Sequence, residues 1–364
     1  MPESRLLVEV DGTTVGDDDL LALTEVTVEE SMDASDAVHI AAAVDADASG
    51  QWTSLLDPLT TPRTPLVVGI TNGDVSYRFE GTSTEAEWLI DAAGSSTLSV
   101  KAIDRTLDMD AEEHVVAWPG TSDATIANAI FAKHGLDAKV DDTPDGPDPD
   151  VHVVLQRATD WAFLRALAAK WGYATFVEAD GDNLAGHFRL IDPLADPQAT
   201  LSLGFGGDAT KVRVSARLTA GQSITANRLR TLSDATDSAT ADGTDQAQGK
   251  TPLGGQVALL LTPDDVDGEI DATAAVTGLA RRAASAVTLE VDVDVATTGI
   301  MLRSRRTVLV KGLGDTLSGR YLVERVRHRV TPAGHTQSAT LTRNALGLTG
   351  DEPFGDGSGL LGGL

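Results

Sequence analysis

The sequence predicts a mainly β protein with an α+β insert, built as two antiparallel β-barrel domains flanking a small α/β domain. Three observations carry that expectation. Residues 5–104 and 199–345 are built from short runs of alternating apolar and polar residues, broken by Gly, Pro, Asn and Asp. Residues 105–198 switch to apolar spacings of three and four, the period of a helix with one buried face. With 364 residues, 41% hydrophobic and 23% charged, the chain is long and apolar enough for two or three cores.

The first barrel is assigned to residues 1–104. "LLVEVDG" puts Leu6, Val8 and Val10 on one face and ends in an Asp-Gly turn. "LTEVTVEES", "AVHIAAAVDA", "PLVVGIT", "VSYRFEGTSTEAEWLI" and "STLSVKAID" follow at short spacing. The Asn72-Gly73 pair suits a tight hairpin, because both residues tolerate positive φ. Such a series of short strands reads as an antiparallel barrel.

The insert, residues 105–198, carries two helices. The first lies near 122–134, with Thr121 or Ser122 as its cap and Gly135 at its end. An acidic, proline-punctuated loop, "DDTPDGPDPD" (141–150), and a strand, "VHVVLQ", lead to the second helix near 159–171. Thr159 caps it, Gly172 ends it, and Trp161, Leu164, Ala168 and Trp171 share one face, with Leu167 beside them and Phe163 in the same run. Only 4% of the chain is aromatic, so this concentration needs a reason. A small insert has little core of its own, and each large ring buries on the order of 150–250 Å². The rings are read as structural glue.

The second barrel is assigned to residues 199–345. It contains "KVRVSARLT", "NRLRTL", "TLEVDVDV", "RRTVLVKG", "SGRYLVERVRHRVT" and "GHTQSATLTR" as strands. One helix near 272–287 buries a stripe of Val276, Leu279, Ala280, Ala283 and Val287. Residues 233–255, small, polar and glycine-rich, read as a flexible loop, and residues 346–364 as a flexible C-terminal tail carrying Leu360, Leu361 and Leu364.

Charge excludes some functions. With 28 bases against 55 acids the net charge is −27, which argues against nucleic-acid binding, since phosphate attraction needs a basic face. No run approaches ~18 apolar residues, so no membrane insertion is expected. The start "MPESRLLVEV" lacks the basic and apolar parts of a signal peptide, and synthesis in the cytoplasm follows as the expectation. The absence of cysteine rules out disulfides, thiol nucleophiles and thiolate metal sites. The charge is also uneven. Residues 1–100 hold Arg5, Arg63 and Arg78 against 19 acids, whereas residues 301–343 hold 9 bases against Asp315 and Glu324. Either the two surfaces are separately solvated, or one end docks the other end of a neighbouring copy. Arg325, Arg327 and Arg329 share one strand face, open to water or to an interface with carboxylates. His328 sits on the opposite face with Val326 and Val330, as a packed imidazole.

No catalytic constellation emerges. Ser358 in "GDGSGLLGG" lacks a glycine two residues before it, and "KGLGDTLSG" (311–319) runs into a strand where a phosphate cradle needs a helix. The aspartates of 141–150 miss the spacing of a calcium loop, and the seven histidines show no zinc spacing. Neither catalytic, metal nor cofactor residues are expected, and the chain reads as a structural protein.

The helix at 159–171 carries a resemblance. "LQRATDWAFLRALAAKWGYATFVE", with Gln156, Asp160, Trp161, Phe163-Leu164, Leu167 and Gly172-Tyr173, resembles a motif of the contractile-tail baseplate hub family. That family includes phage late control D proteins, the central hub of T4-like baseplates and the N-terminal hub region of VgrG-type spikes. "STLSVKAIDRTLDMD" (96–110) is similar to its strand leaving the first barrel, and "GRYLVERVRHRVTPAGHTQSATLTR" (319–343) to its closing hairpin. The resemblance implies a homotrimer whose two barrels per chain make a ring of six. Such a ring adapts a hexameric inner tube to a trimeric spike in a contractile injection system or phage-like tail. It also implies the inner tube protein, a separate spike protein and other baseplate proteins as partners, with no cofactor. VgrG-type chains continue into a spike where this one ends near residue 350, so Leu360, Leu361 and Leu364 are expected to help hold the separate spike, and no cell-wall cleavage is expected. A non-contractile tail-tip hub and a β-rich hydrolase using scattered acids are the alternative readings.

Overall fold

The computed structural model describes residues 4–354 apart from 33, 47–48, 92–94, 151–152, 182, 205, 219–220, 230–235, 243–245, 253–254, 260–267 and 353. The first β half comprises β1 (Arg5–Val10), β2 (Leu23–Ser31), β3 (Ala37–Ala43), β4 (Pro65–Asn72), β5 (Val75–Leu89) and β6 (Thr97–Asp104). The insert follows with β7 (Glu113–Trp118), α1 (Asp123–Lys133), β8 (Asp137–Val140), β9 (Val154–Thr159), α2 (Asp160–Trp171), β10 (Ala174–Asp180) and β11 (Asn183–Arg189). The second half is led by β12 (Ala209–Ala216), α3 (Gly268–Ala284), β13 (Val287–Asp294), β14 (Thr307–Lys311), β15 (Gly319–Thr331) and β16 (Gly334–Arg343).

The protein is mainly β with antiparallel sheets, as its alternating runs predict. The barrels, however, are not separate closed units. Among the described residues one 13-stranded sheet runs β12-β13-β16-β15-β2-β3-β6-β5-β4-β1 to Thr13–Thr14 and does not close on itself. The strand that joins the halves is β15. Its first residues pair with β14 (Leu322 opposite Thr307), and after a bulge between Val323 and Arg325 the rest pairs with β2 (Arg325 opposite Ser31, Val330 opposite Val26). A bulge bends and twists a strand locally, which lets one long strand pair with both halves.

Each half is built round one main core, and Val295 and Met301 of the second half complete the core of the first. Val8, Val28, Ile40, Leu66, Phe79 and Val100 fill the first; Leu201, Val291, Val308, Tyr321 and Leu341 fill the second. A third cluster in the insert gathers Ile126, Phe131, Trp161, Leu164 and Phe188. Two details differ from the sequence reading. Helix α3 ends at Ala284, and Val287 opens β13, where its branched side chain packs on a pleated face. Within 233–255, read as a loop, Thr236–Asp242 forms a strand antiparallel to Gly221–Leu229. Small polar residues permit this because the ladder is made by backbone groups.

One glycine in the insert is set by a close approach. A Cβ on Gly186 of β11 would lie 2.3–2.7 Å from ring atoms of Phe131, which is fully buried. Gly186→Ala is expected to destabilise the protein by about 1–3 kcal/mol through forced displacement of that ring. A lower urea midpoint with unchanged slope is the expected readout; an unchanged midpoint would show that the ring yields freely.

Candidate functional site

Where the two halves and the insert meet, the protein buries charge. Glu30 at the end of β2 is fully buried, and Arg303, ahead of β14, is nearly so. Arg303 Nε donates to Glu30 Oε1 and Oε2 at 3.0 and 2.9 Å, Nη1 to the Ser76 carbonyl at 2.6 Å, and Nη2 to Glu178 Oε1 at 2.7 Å. Its guanidinium lies 4.6 Å above the Tyr77 ring. Glu30 and Ser76 belong to the first half, Glu178 to β10 of the insert and Arg303 to the second half, so one planar, five-donor group ties three units. Arg306 adds a bond to Glu178 at 2.9 Å. Burial pushes Glu30 upward, but Arg303 and His328 outweigh it and hold the carboxyl down at about 2. Glu178 is likewise pushed up by burial and drawn below its ordinary range by Arg306 and Arg303.

Arg305 makes a second tie. It donates to Asp36 Oδ1 at 2.5 Å and to the Ser31 carbonyl at 2.6 Å, and it stacks 4.2 Å from the Phe176 ring of the insert. Its φ of 63° lies in the left-handed region, a conformation that non-glycine residues hold only where their surroundings over-determine it. Asp36 in turn donates its backbone N–H to Asp104 Oδ2 at 2.9 Å. Asp104 Oδ1 accepts from the Thr106 backbone N–H at 3.0 Å and from the Thr106 hydroxyl.

The histidines complete the junction, and their protons can be placed. Gln337 Oε1 accepts from the Leu302 N–H at 2.9 Å and its Nε2 donates to the Leu302 carbonyl at 2.8 Å, which fixes the amide orientation. Its Nε2 therefore faces His328 Nδ1 at 3.1 Å as a donor, leaving Nδ1 as the acceptor. The proton sits on His328 Nε2, which donates to Glu30 Oε1 at 2.9 Å, since a carboxylate can only accept. Burial pushes His335 down to about 3, so it is neutral. Glu30 thus accepts from both Arg303 and His328. The arrangement can hold the three parts together. Among the described residues no group of three His, Asp or Glu is placed to hold a metal ion.

The insert has its own polar device. Helices α1 and α2 each begin with an aspartate and end with a lysine followed by a ring N–H. Asp160, at the start of α2, accepts from Lys133 Nζ at 2.7 Å and His134 Nε2 at 2.8 Å at the end of α1. Asp123, at the start of α1, accepts from Lys170 Nζ at 2.8 Å and Trp171 Nε1 at 2.7 Å at the end of α2. The clamp is reciprocal, and each carboxylate also lies at the positive end of its own helix. Burial pushes Asp160 up, yet the bonds from Lys133, His134 and Gln156 prevail and hold it below the ordinary range.

The residues singled out from sequence fall in different places. Trp161, Phe163, Leu164 and Leu167 are buried in the insert core, and Trp171 packs against it at the edge. Arg325, Arg327 and Arg329 all lie on the exposed face of β15. Arg329 donates to Glu25 at 2.7 Å and Arg327 lies 3.5 Å from Glu29, both on the adjoining β2 of the same chain. Part of the charge asymmetry is therefore met internally, by exposed, solvent-screened pairs. Arg325 stands at the side of a trough of about 310 Å³ that also touches Lys211, Glu290 and Thr340. Leu360, Leu361 and Leu364 lie outside the described residues. Sequence reading missed Glu30, Asp36, Arg303 and Arg305. The available signal was two arginines at alternate positions inside the apolar run "MLRSRRTVLV".

Comparisons with known proteins match this geometry at the level of fold. A family model described as the Alg8 N-terminal domain matches residues 8–332. No curated protein matches in sequence. Among solved structures, the 43 kDa tail protein of prophage MuSo2 from Shewanella oneidensis superposes with a TM-score of 0.68 at 16% identity, covering 94% of this chain and 100% of that one. The tail protein from Neisseria meningitidis gives 0.65 at 13% identity, covering 94% and 97%. An Escherichia coli component of the type VI secretion system, described as similar in structure to T4 bacteriophage tail proteins gp27 and gp5, gives 0.54 at 11%, covering 92% and 76%.

Proposed function

The chain belongs to the Alg8 N-terminal domain family, and from that premise and its tail-protein fold we propose that it is the structural baseplate hub of a contractile injection system or phage-like tail. In this reading it is a homotrimer that adapts a hexameric inner tube to a trimeric spike and contacts other baseplate proteins. The observation that carries the proposal is the junction itself. Two β halves, each round one main core, are tied together by Glu30, Arg303 and Glu178. Three copies of such a two-part rigid body supply six β units, and a closed head-to-tail ring needs unlike, complementary surfaces on each copy. The acid-rich first half and the exposed bases of β12 and β15 supply unlike potentials.

Sedimentation equilibrium and negative-stain microscopy test the proposal. The expected result is a species of about three times the 37.9 kDa chain mass, seen as a ring with a central channel. A monomer at ~10 μM that forms no ring with the co-encoded tail proteins would refute it; that concentration is well above the dissociation constant of an ordinary specific interface.

A further inference from the structure

The strands β12-β13-β16-β15-β2-β3-β6-β5 of the long sheet leave an edge open at each end, among the described residues. At one end, β4 and the residue before it cover β5 only as far as Ser83. Beyond that point Glu85–Leu89 pair with β6 alone. At the other end β12, eight residues long, pairs only with β13. A free edge presents backbone N–H and C=O groups that can accept another strand.

The two edges match in direction. Each of the seven pairings across these strands is antiparallel, so β12 and β5 run in opposite senses. In a head-to-tail ring whose axis follows the strands, β5 of one copy therefore meets β12 of the next antiparallel.

They also match on both faces, and the register fixes which residues share a face. Directly opposed residues point the same way, as do alternate residues along one strand. Lys211 opposes Asp292, Asp292 opposes Ser338, and Ser338 opposes Arg327. Two residues along β15, Arg329 opposes Thr27, followed in register by His39, Lys101 and Glu85. Lys211 and Arg213 at one edge thus share a face with Glu85 and Glu87 at the other, and all four are exposed. Within the chain, Glu85 reaches Lys101 only at 3.8 Å and Arg213 reaches Glu290 only at 3.7 Å. On the opposite face Ala86 and Trp88 of β5 stand across from the buried Val100 and Leu98, and Val212 and Val214 of β12 across from Val291 and Leu289. Each edge therefore offers charge on one face and apolar side chains beside a core on the other.

We propose that the β5 edge of one copy pairs antiparallel with the β12 edge of the next, joining the long sheets of three copies into one closed sheet. The inference rests on the homotrimer reading and names its interface. A second copy of this chain is the occupant because one chain carries both halves of the contact. Acids meet bases on one face, and Trp88 meets Val212 and Val214 on the other. Pairing of like edges would set acid against acid or base against base. Closure leaves no open edge.

Cysteine crosslinking tests the seam in a chain that has no cysteine of its own. E87C is combined in turn with K211C, R213C and S215C, all on the charged face. Within one chain these positions lie seven strand spacings apart along the sheet, on the order of 30 Å and far beyond disulfide reach. Under mild oxidation at least one double variant should form a covalent trimer on non-reducing electrophoresis, while each single variant stays uncrosslinked. In sedimentation, E85K/E87K and K211E/R213E should each weaken the trimer about ten-fold or more, and the quadruple variant should recover it. Thermal melting checks that the variants fold, as expected for exposed side chains. A wild-type trimer with no crosslink in any double variant overturns the seam and leaves the homotrimer reading intact. A quadruple variant no better than its parent doubles overturns the matching of acids to bases across the seam. A wild-type chain that is monomeric and forms no ring overturns the homotrimer reading, and the seam with it.

Discussion

Replacing Arg303 with methionine will lower the unfolding free energy by about 3–5 kcal/mol, the cost of leaving a buried carboxylate without its partner. Glu30 is 0% exposed and would keep only the His328 bond. Glu178 would keep Arg306, whose side chain is 41% exposed and so offers weaker compensation. Arg303→Lys should recover only part of the loss, because an ammonium cannot reach Glu30, Glu178 and the Ser76 carbonyl in one plane. E30M/R303M is the informative double. Removing both charges removes the desolvation cost that the single variant exposes, so the double should lose less than the sum of the two singles by at least ~1 kcal/mol. Urea unfolding of the four proteins measures this. Additive losses would mean that Glu30 and Arg303 are solvated in solution and that the junction is not a weld.

The same residues explain how far the sequence could be read. Alternation in "LTEVTVEES" and "GRYLVERVRHRVT" places Val26, Val28, Val326 and His328 inside and the arginines outside, and the structure has them so. Thr159 accepts from the Ala162 N–H and Gly172 takes φ 68°, which are local signals acting within one turn. The pairing of β2 with β15 was not legible. It joins residues about 300 positions apart, and period-two alternation fixes a face without naming a partner. Buried arginines were hidden for another reason: charged residues are assigned to the surface by default, and only their partners reveal otherwise. The insert clamp was legible but overlooked. "SDATIANAIFAKHG" and "TDWAFLRALAAKWG" share a capping Ser or Thr, an aspartate, a lysine ten residues after it, a ring N–H and a closing glycine. The repeat records two antiparallel helices that each cap the other.

That reciprocity yields the second large effect. Asp160→Asn should cost about 2–3 kcal/mol near neutral pH, since the amide cannot accept as an anion from Lys133 and His134 together. The figure stays below that for Arg303 because Lys133, with its side chain 51% exposed, can turn to water. The pH dependence has a definite sign. The Asp160 carboxyl is held below its ordinary range in the folded protein, so its contribution is complete above the unfolded value of about 4 and drains away as pH falls toward the folded value. The stability gap between wild type and Asp160→Asn should therefore narrow between pH 4 and pH 3. Taking the difference between the two proteins cancels the other carboxylates that titrate in the same range, Glu30 among them. A gap that persists unchanged to pH 3 would show that Asp160 acts by shape alone. Asp123→Asn on top of Asp160→Asn should then cost less than it does alone, because both carboxylates hold one helix pair and the first substitution has already loosened it.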